Sequence, residues 1–212
     1  MNNLKPADRI AGIYAITTQY QASPSWYQRI ELALQLGIDL LQFRSKQLEN
    51  EHRYLIASQL AELCQSYNTP LIINDDIALA RAVHAQGVHL GQGDGSIAHA
   101  KVLLGEQAII GRTCHADLTL ALEAQDEGAS YVAFGQVYPS QSKVSAHRAS
   151  LEFLEQARQE ITIPIVAIGG ITALNARDVI DTGVDSLALI NGVWAGDLTK
   201  NLQALRKAWL SE

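Results

Sequence analysis

The side chains best suited to chemistry in this chain stand where short apolar runs end. Residues 70–76 read PLIINDD, so an apolar strand, Leu71-Ile72-Ile73, runs straight into Asn74, Asp75 and Asp76. Neighbouring carboxylates repel, and a buried strand end is a costly place to hold them. Such a cluster is either a solvated turn or the seat of a cation and its ligand. Other run ends carry Gln42-Phe43-Arg44-Ser45-Lys46, Gly91-Gln92-Gly93-Asp94, Arg112-Thr113-Cys114-His115, Ser140-Gln141-Ser142-Lys143, Gly169-Gly170 and Asn191-Gly192. Brought to one rim, these carboxylates, cations, hydroxyls and glycine turns have the chemistry of a magnesium-bridged phosphorylated ligand. Asp75 and Asp94 are the pair for one Mg²⁺, an ion that takes one or two carboxylates and fills its shell with water and phosphate oxygens. Strand alternation puts Gln42, Arg44 and Lys46 on one side, with arginine offering phosphate a fork and lysine a compact charge.

Several neighbours have plainer readings. Asp76 precedes IALARAV and suits a helix N-cap. His115 reads as a hydrogen-bonded structural histidine, and Cys114 as a small buried hydrophobe. GQGDGS at 91–96 is a weak match to a dinucleotide glycine fingerprint, and it follows the fourth apolar run rather than the first. No GxxxxGK[ST] loop occurs, which removes the usual ATPase reading.

The elements that must position these residues alternate regularly. Strand-like runs at 12–18, 39–45, 70–75, 87–92, 108–113, 131–138, 164–170 and 186–192 are each followed by a segment of helical periodicity, at 26–37, 52–67, 77–86, 97–105, 118–128, 151–161, 175–183 and 198–210. Gly37, Gly87, Gly105, Gly128 and Gly183 stand where helices would end. Eight strand–helix pairs with near-continuous apolar strands predict an α/β protein, a (β/α)₈ TIM barrel near minimal size. An open doubly wound sheet is the competing architecture, and it does not call for eight even units. The expectation is a single TIM-barrel domain over 1–212, with 1–11 as an N-terminal arm or short covering helix. In such a barrel all strand ends open on one face, and the loops after strands seven and eight, here Ala167–Ile171 and Asn191-Gly192, commonly seat phosphate.

Composition narrows the partners. The net charge of −6 over 212 residues provides nothing global to attract nucleic acid or an acidic membrane, so an anionic substrate needs a local cationic site. Two cysteines far apart in sequence, no cleavable signal pattern and no run of the roughly 20 apolar residues a membrane helix needs predict a reduced, cytoplasmic protein. Its expected partners are phosphorylated small molecules, with a homo-oligomer left open.

Taken in order, QFRSK, INDD, GVHLGQGD, IIGRTCHA, YVAFGQVYPSQSK and VAIGGIT resemble the thiamine phosphate synthase family, a likeness running from YAITT near residue 14 to INGVW near 194. IGGI alone is shared by many phosphate-binding barrels; the ordered set is specific. The resemblance implies a transferase that joins 4-amino-5-hydroxymethyl-2-methylpyrimidine diphosphate to 4-methyl-5-(2-hydroxyethyl)thiazole phosphate, releasing diphosphate. It implies that Gln42, Phe43, Arg44, Ser45, Lys46, Asn74, Thr113 and Lys143 bind the pyrimidine diphosphate. It assigns Ser140, Gln141, Ser142, Gly170, Ile190 and Asn191 to the thiazole phosphate, and Asp75 and Asp94 to Mg²⁺. Arg44, Lys46 and Lys143 are the residues expected to assist the chemistry. Ser45 stands where an acidic residue is usual, and Asn191-Gly192 where a Ser- or His-containing pair is. A thiazole tautomerase of the similar family, which would not need the Asn74-Asp75, Asp94 and Lys46 apparatus, and a non-catalytic sensor of thiamine precursors, which the intact cations and carboxylates weaken, are the alternatives.

Overall fold

The computed structural model describes residues 5–21, 23–45, 47–139 and 148–210. Eight parallel strands, β1 (Gly12–Ile16), β2 (Leu40–Phe43), β3 (Leu71–Asn74), β4 (Gly87–Leu90), β5 (Ile109–His115), β6 (Tyr131–Gly135), β7 (Ile165–Ile168) and β8 (Ser186–Leu189), pair in sequence order, and β1 closes the barrel on β8. Helices α1 (Pro24–Gln35), α2 (Asn50–Ser66), α3 (Ile77–Ala82), α4 (Ile97–Leu104), α5 (Leu118–Asp126), α6 (Leu151–Glu160), α7 (Ala176–Ile180), α8 (Asn191–Trp194) and α9 (Leu198–Leu210) cover it. The expected TIM barrel is the observed one. Pro6–Arg9 form a short 3₁₀ helix, and the following Ile10 is buried inside the barrel.

Strand alternation sorts the apolar side chains into two cores. Tyr14, Ile16, Leu40, Ile72, Ile109, Tyr131, Val166 and Ala188 fill the barrel. Their sequence neighbours, among them Ile13, Leu41, Phe43, Ile73, Phe134 and Leu187, pack into the layer beneath the helices. Both faces of each strand are therefore apolar, which is why the runs read as continuous rather than alternating.

Element ends differ from expectation for local reasons. α3 stops at Ala82 instead of running to 86, because His84 takes a left-handed conformation (φ 53°) and the Ala85 N–H returns to the Ala80 carbonyl at 2.9 Å. Gly87 thus caps no helix: it is the first residue of β4, where a Cβ would stand 2.0 Å from the Ile109 carbonyl oxygen. Gly37, Gly105, Gly128 and Gly183 do end helices, all at positive φ. β5 runs two residues further than expected through a bulge between Thr113 and His115.

At the N-terminal end of the barrel two carboxylates act as staples. Asp39 accepts from the Ile13 N–H at 2.8 Å, and Asp185 from the Ile165 N–H at 2.7 Å. Each ties the chain entering one strand to a neighbouring strand. Arg158 pairs with Asp185 at 2.9 Å.

Inside the barrel, Gly111 makes room for a ring. A Cβ there would lie 2.0 Å from the Tyr131 ring, which is itself fully buried and edge-on to Tyr14. Overpacking a close-packed core is costly. Gly111→Ala is expected to lower stability by about 1–3 kcal/mol, read as a lower urea midpoint at unchanged slope; an unaltered midpoint would mean the ring is free to move aside.

Candidate active site

Asn74 and Asp75 leave β3 beside β4. The Asn74 Cα pairs with that of His89, and the Asp75 N–H donates to the His89 carbonyl at 2.8 Å. That bond turns the chain at Asp75, whose φ of 65° is uncommon outside glycine though aspartate tolerates it better than most. Backbone held in such a conformation clusters at functional positions. One residue on, the Asp76 side chain caps α3 by accepting from the Leu79 N–H at 2.8 Å, and it also pairs with Arg53 at 2.6 Å. Asp76 is therefore the expected N-cap.

The loop after β4 is folded on itself and clamped from β5. Asp94 accepts from the Gly91 N–H at 2.9 Å. Arg112 Nη1 donates to the carbonyls of Gly91, at 3.0 Å, and Gly95, at 2.8 Å. Arg112 thus spends its charge on the segment that carries Asp94. The α4 helix begins directly after, with the Ser96 hydroxyl accepting from the His99 N–H.

These ends open on a cavity of about 580 Å³ at the C-terminal mouth of the barrel, whose lining includes Gln42, Arg44, Asn74, Asp75, Asp94 and Thr113. Gly170, Ile190 and Asn191 line the same cavity from the far side. Nine residues expected at the site therefore meet in one space. A second cavity opens beside it, sharing Asn74, Asp75 and Asp94 and adding Ser45, Arg53 and His99. Lys46, Ser140, Gln141, Ser142 and Lys143 fall outside the described residues. Phe43 is a correction. Its side chain is buried in the layer between barrel and helices, because alternation turns it away from Gln42 and Arg44, so it lines neither cavity.

The glycines of the far wall set how closely its loops approach. At Gly170 (φ 65°) a Cβ would stand 2.7 Å from the Pro139 carbonyl oxygen, and at Gly192 one would stand 2.4 Å from that of Ile171. The loops after β6, β7 and β8 therefore pack backbone to backbone. Asn191 opens the short α8, which the sequence had not suggested as a helix.

His115 differs from expectation: it is exposed at the cavity rim at φ 53°, with no side-chain hydrogen bond to the described residues. The bulge in β5 turns it out of the core. Sequence reasoning also passed over Tyr14, His89 and Tyr131, which line the cavity floor and bond to one another. Alternation was the available signal, since each lies two residues from another inward-facing position. Among the described residues no three His, Cys, Asp or Glu side chains gather as a metal site.

Residues 13–193 match the family described as thiamine monophosphate synthase. The chain belongs to that family. It is 49% identical over 187 residues to the thiamine-phosphate synthase of Saccharophagus degradans, covering 87% of this chain and 86% of the relative. It is 42% identical over 202 residues to that of Thiobacillus denitrificans, covering 95% and 96%. Among solved structures, the thiamine phosphate pyrophosphorylase of Pyrococcus furiosus superposes with a TM-score of 0.83 at 34% identity over 95% of this chain and 96% of that one. Membership in this family makes the chain a transferase of thiamine biosynthesis, and neither the tautomerase nor the sensor reading finds support.

Nucleophilic catalysis by cysteine does not suit this synthase fold. Cys114 and Cys64 are both fully buried, and burial pushes each thiol up to about 12 from an ordinary value of 9.0. A raised thiol pKa keeps the reactive thiolate scarce at pH 8. Native-state alkylation at pH 8 is expected to be slower than for free cysteine by on the order of a thousandfold; rapid labelling of Cys114 in folded protein would contradict this.

Proposed function

We propose that the cavity binds 4-amino-5-hydroxymethyl-2-methylpyrimidine diphosphate and 4-methyl-5-(2-hydroxyethyl)thiazole phosphate together and joins them into thiamine phosphate, with diphosphate as the second product. The observation that carries this reading is the meeting of Arg44, Asp75 and Asp94 with the glycine-rich loops after β7 and β8 around one space. One side suits a polyanion that must depart, the other a phosphate that stays.

The donor set fits Mg²⁺. Asp75 and Asp94 offer hard oxygens and line both cavities, and one oxygen of Asp94 is oriented by the Gly91 N–H. When bound, Mg²⁺ neutralises charge on the diphosphate. Arg44 adds a fixed donor fork at the same wall, and Lys46 and Lys143 add cations in this proposal. As the C–O bond breaks, the electron pair leaves with the diphosphate and the aminopyrimidine carries the positive charge on its methylene carbon. The thiazole nitrogen, positioned by its phosphate against Gly170, Ile190 and Asn191, then forms the new C–N bond. No proton transfer and no protein nucleophile are required. The protein's task is to position both rings and exclude water from the cation. Ser140, Gln141 and Ser142 belong to the thiazole phosphate side, and Ser45 faces the adjoining cavity, where the diphosphate end would lie. No helix among the described residues is long and apolar enough to cross a membrane, and a cytoplasmic location is part of the same proposal.

The test is to mix both precursors with enzyme and Mg²⁺ and quantify thiamine phosphate and released diphosphate in equal amounts. Binding of both without turnover would contradict the reading. Asp75→Asn keeps a residue that tolerates positive φ, so the thermal midpoint should hold while kcat falls about a hundredfold or more. A wild-type rate in that variant would remove Asp75 from the metal site.

A further inference from the structure

Beneath the cavity, five side chains from five different strands form one unbroken hydrogen-bond chain across the barrel. Gln42 Nε2 donates to the Tyr14 hydroxyl at 2.8 Å. The Tyr14 and Tyr131 hydroxyls are 3.0 Å apart. The Tyr131 hydroxyl lies 2.9 Å from His89 Nδ1, and His89 Nε2 lies 2.8 Å from Thr113 Oγ1. Both tyrosines are fully buried, and burial raises both phenols far above their ordinary value, so each hydroxyl keeps its one proton.

One proton per hydroxyl makes the chain directional. The Gln42 amide donates to Tyr14, and each buried O–H then finds an acceptor only if Tyr14 donates to Tyr131 and Tyr131 to His89 Nδ1. An imidazole that accepts at Nδ1 carries its proton on Nε2, and it donates that proton to Thr113. The Thr113 hydroxyl is then left with its own proton to give away. Gln42, with one of its two amide N–H groups engaged, has its amide orientation set and keeps its carbonyl oxygen as an acceptor. The chain's two ends both line the cavity, one as an acceptor on the β2 wall and one as a donor on the β5 wall.

We propose that Tyr14, Tyr131 and His89 are positioning residues that lock Gln42 as an acceptor and Thr113 as a donor toward the substrate, with His89 held as its Nε2–H tautomer. The matching ligand is a neutral heteroaromatic ring that offers an N–H to the β2 wall and a lone pair to the β5 wall. An aminopyrimidine has both, and to that extent the inference rests on the function proposed above. Reversing any one link reverses them all, because a hydroxyl between two donors or two acceptors leaves a buried partner unmet. A substrate with the opposite donor pattern would therefore have to turn the whole chain. The stacking of His89 on Tyr131, ring centroids 5.6 Å apart, and the absence of a side chain at Gly111 hold the middle of the chain in place.

Nuclear magnetic resonance of the folded enzyme carrying ¹⁵N-labelled histidine tests the chain without substrate, with the signal assigned through His89→Gln. The expected result is a protonated Nε2 and a bare, hydrogen-bonded Nδ1; a protonated Nδ1, or a signal averaged between the tautomers, would overturn the proposal. Tyr14→Phe then cuts the link between Gln42 and Tyr131 while sparing both ends. Its KM for the pyrimidine diphosphate should rise about tenfold, with KM for the thiazole phosphate within about twofold. Equal effects on both substrates would reduce the chain to a structural support and contradict the assignment. Should Tyr14→Phe fold poorly, Tyr131→Phe gives a second reading, in which His89 must lose its single-tautomer signal; retention of that signal would overturn the chain. Because the tautomer is read on the free enzyme, a failure of turnover and a failure of the chain leave different signatures.

Discussion

The proposed reaction needs two carboxylates of like charge held at one mouth before a substrate arrives, and the bonds around Asp75 and Asp94 meet that constraint. The registry of β3 against β4 sets it: the Asp75 N–H donates to the His89 carbonyl, and the chain turns there at positive φ. Across the gap, Asp94 is fixed by the Gly91 N–H, and the loop carrying it is fixed by Arg112. None of these bonds needs a ligand to form. Backbone geometry thus sets both carboxylates in place, which is what the proposed cation site needs.

The same barrel separates stability from chemistry along its axis. At the N-terminal end, Asp39 and Asp185 spend their charge on backbone N–H groups of neighbouring strands. At the C-terminal end, Arg44, Asp75 and Asp94 face the cavity. Between the two lies a floor that is neither fully apolar nor solvated, where tyrosine, histidine and glutamine side chains satisfy one another. Buried polar groups of this kind are tolerable only when every member has a partner. The polar floor also explains why glycine stands at 111: the ring of Tyr131 needs the volume a side chain would fill.

Much of this was legible in the sequence, and the misses have particular causes. The even alternation of apolar runs and helical segments predicted the barrel, and reading strand ends alone gathered Gln42, Arg44, Asn74, Asp75, Asp94 and Thr113. The family resemblance implied a substrate role for Phe43 as part of the QFRSK segment, yet alternation, applied to Gln42 and Arg44, already turned its side chain outward. His84 ends α3 with a left-handed residue that is not glycine, so the cap fell on Gly87 by mistake. The bulge in β5 shifts the phase of its last residues, which is why His115 reaches the rim rather than acting as the hydrogen-bonded structural histidine expected. The chain from Gln42 to Thr113 was hidden because its members are up to 117 residues apart, and only closure of the barrel brings Tyr14 to Tyr131.

In the proposed function Asp75 and Asp94 share one divalent ion. The most direct measurement is a crystal structure of the enzyme soaked with Mn²⁺ and inorganic diphosphate, with the ion located by its anomalous signal. A single peak ligated by both carboxylates and by diphosphate oxygens is expected, with Arg44 on the same anion. A peak held by only one of them, or sited elsewhere while diphosphate occupies the cavity, would contradict it.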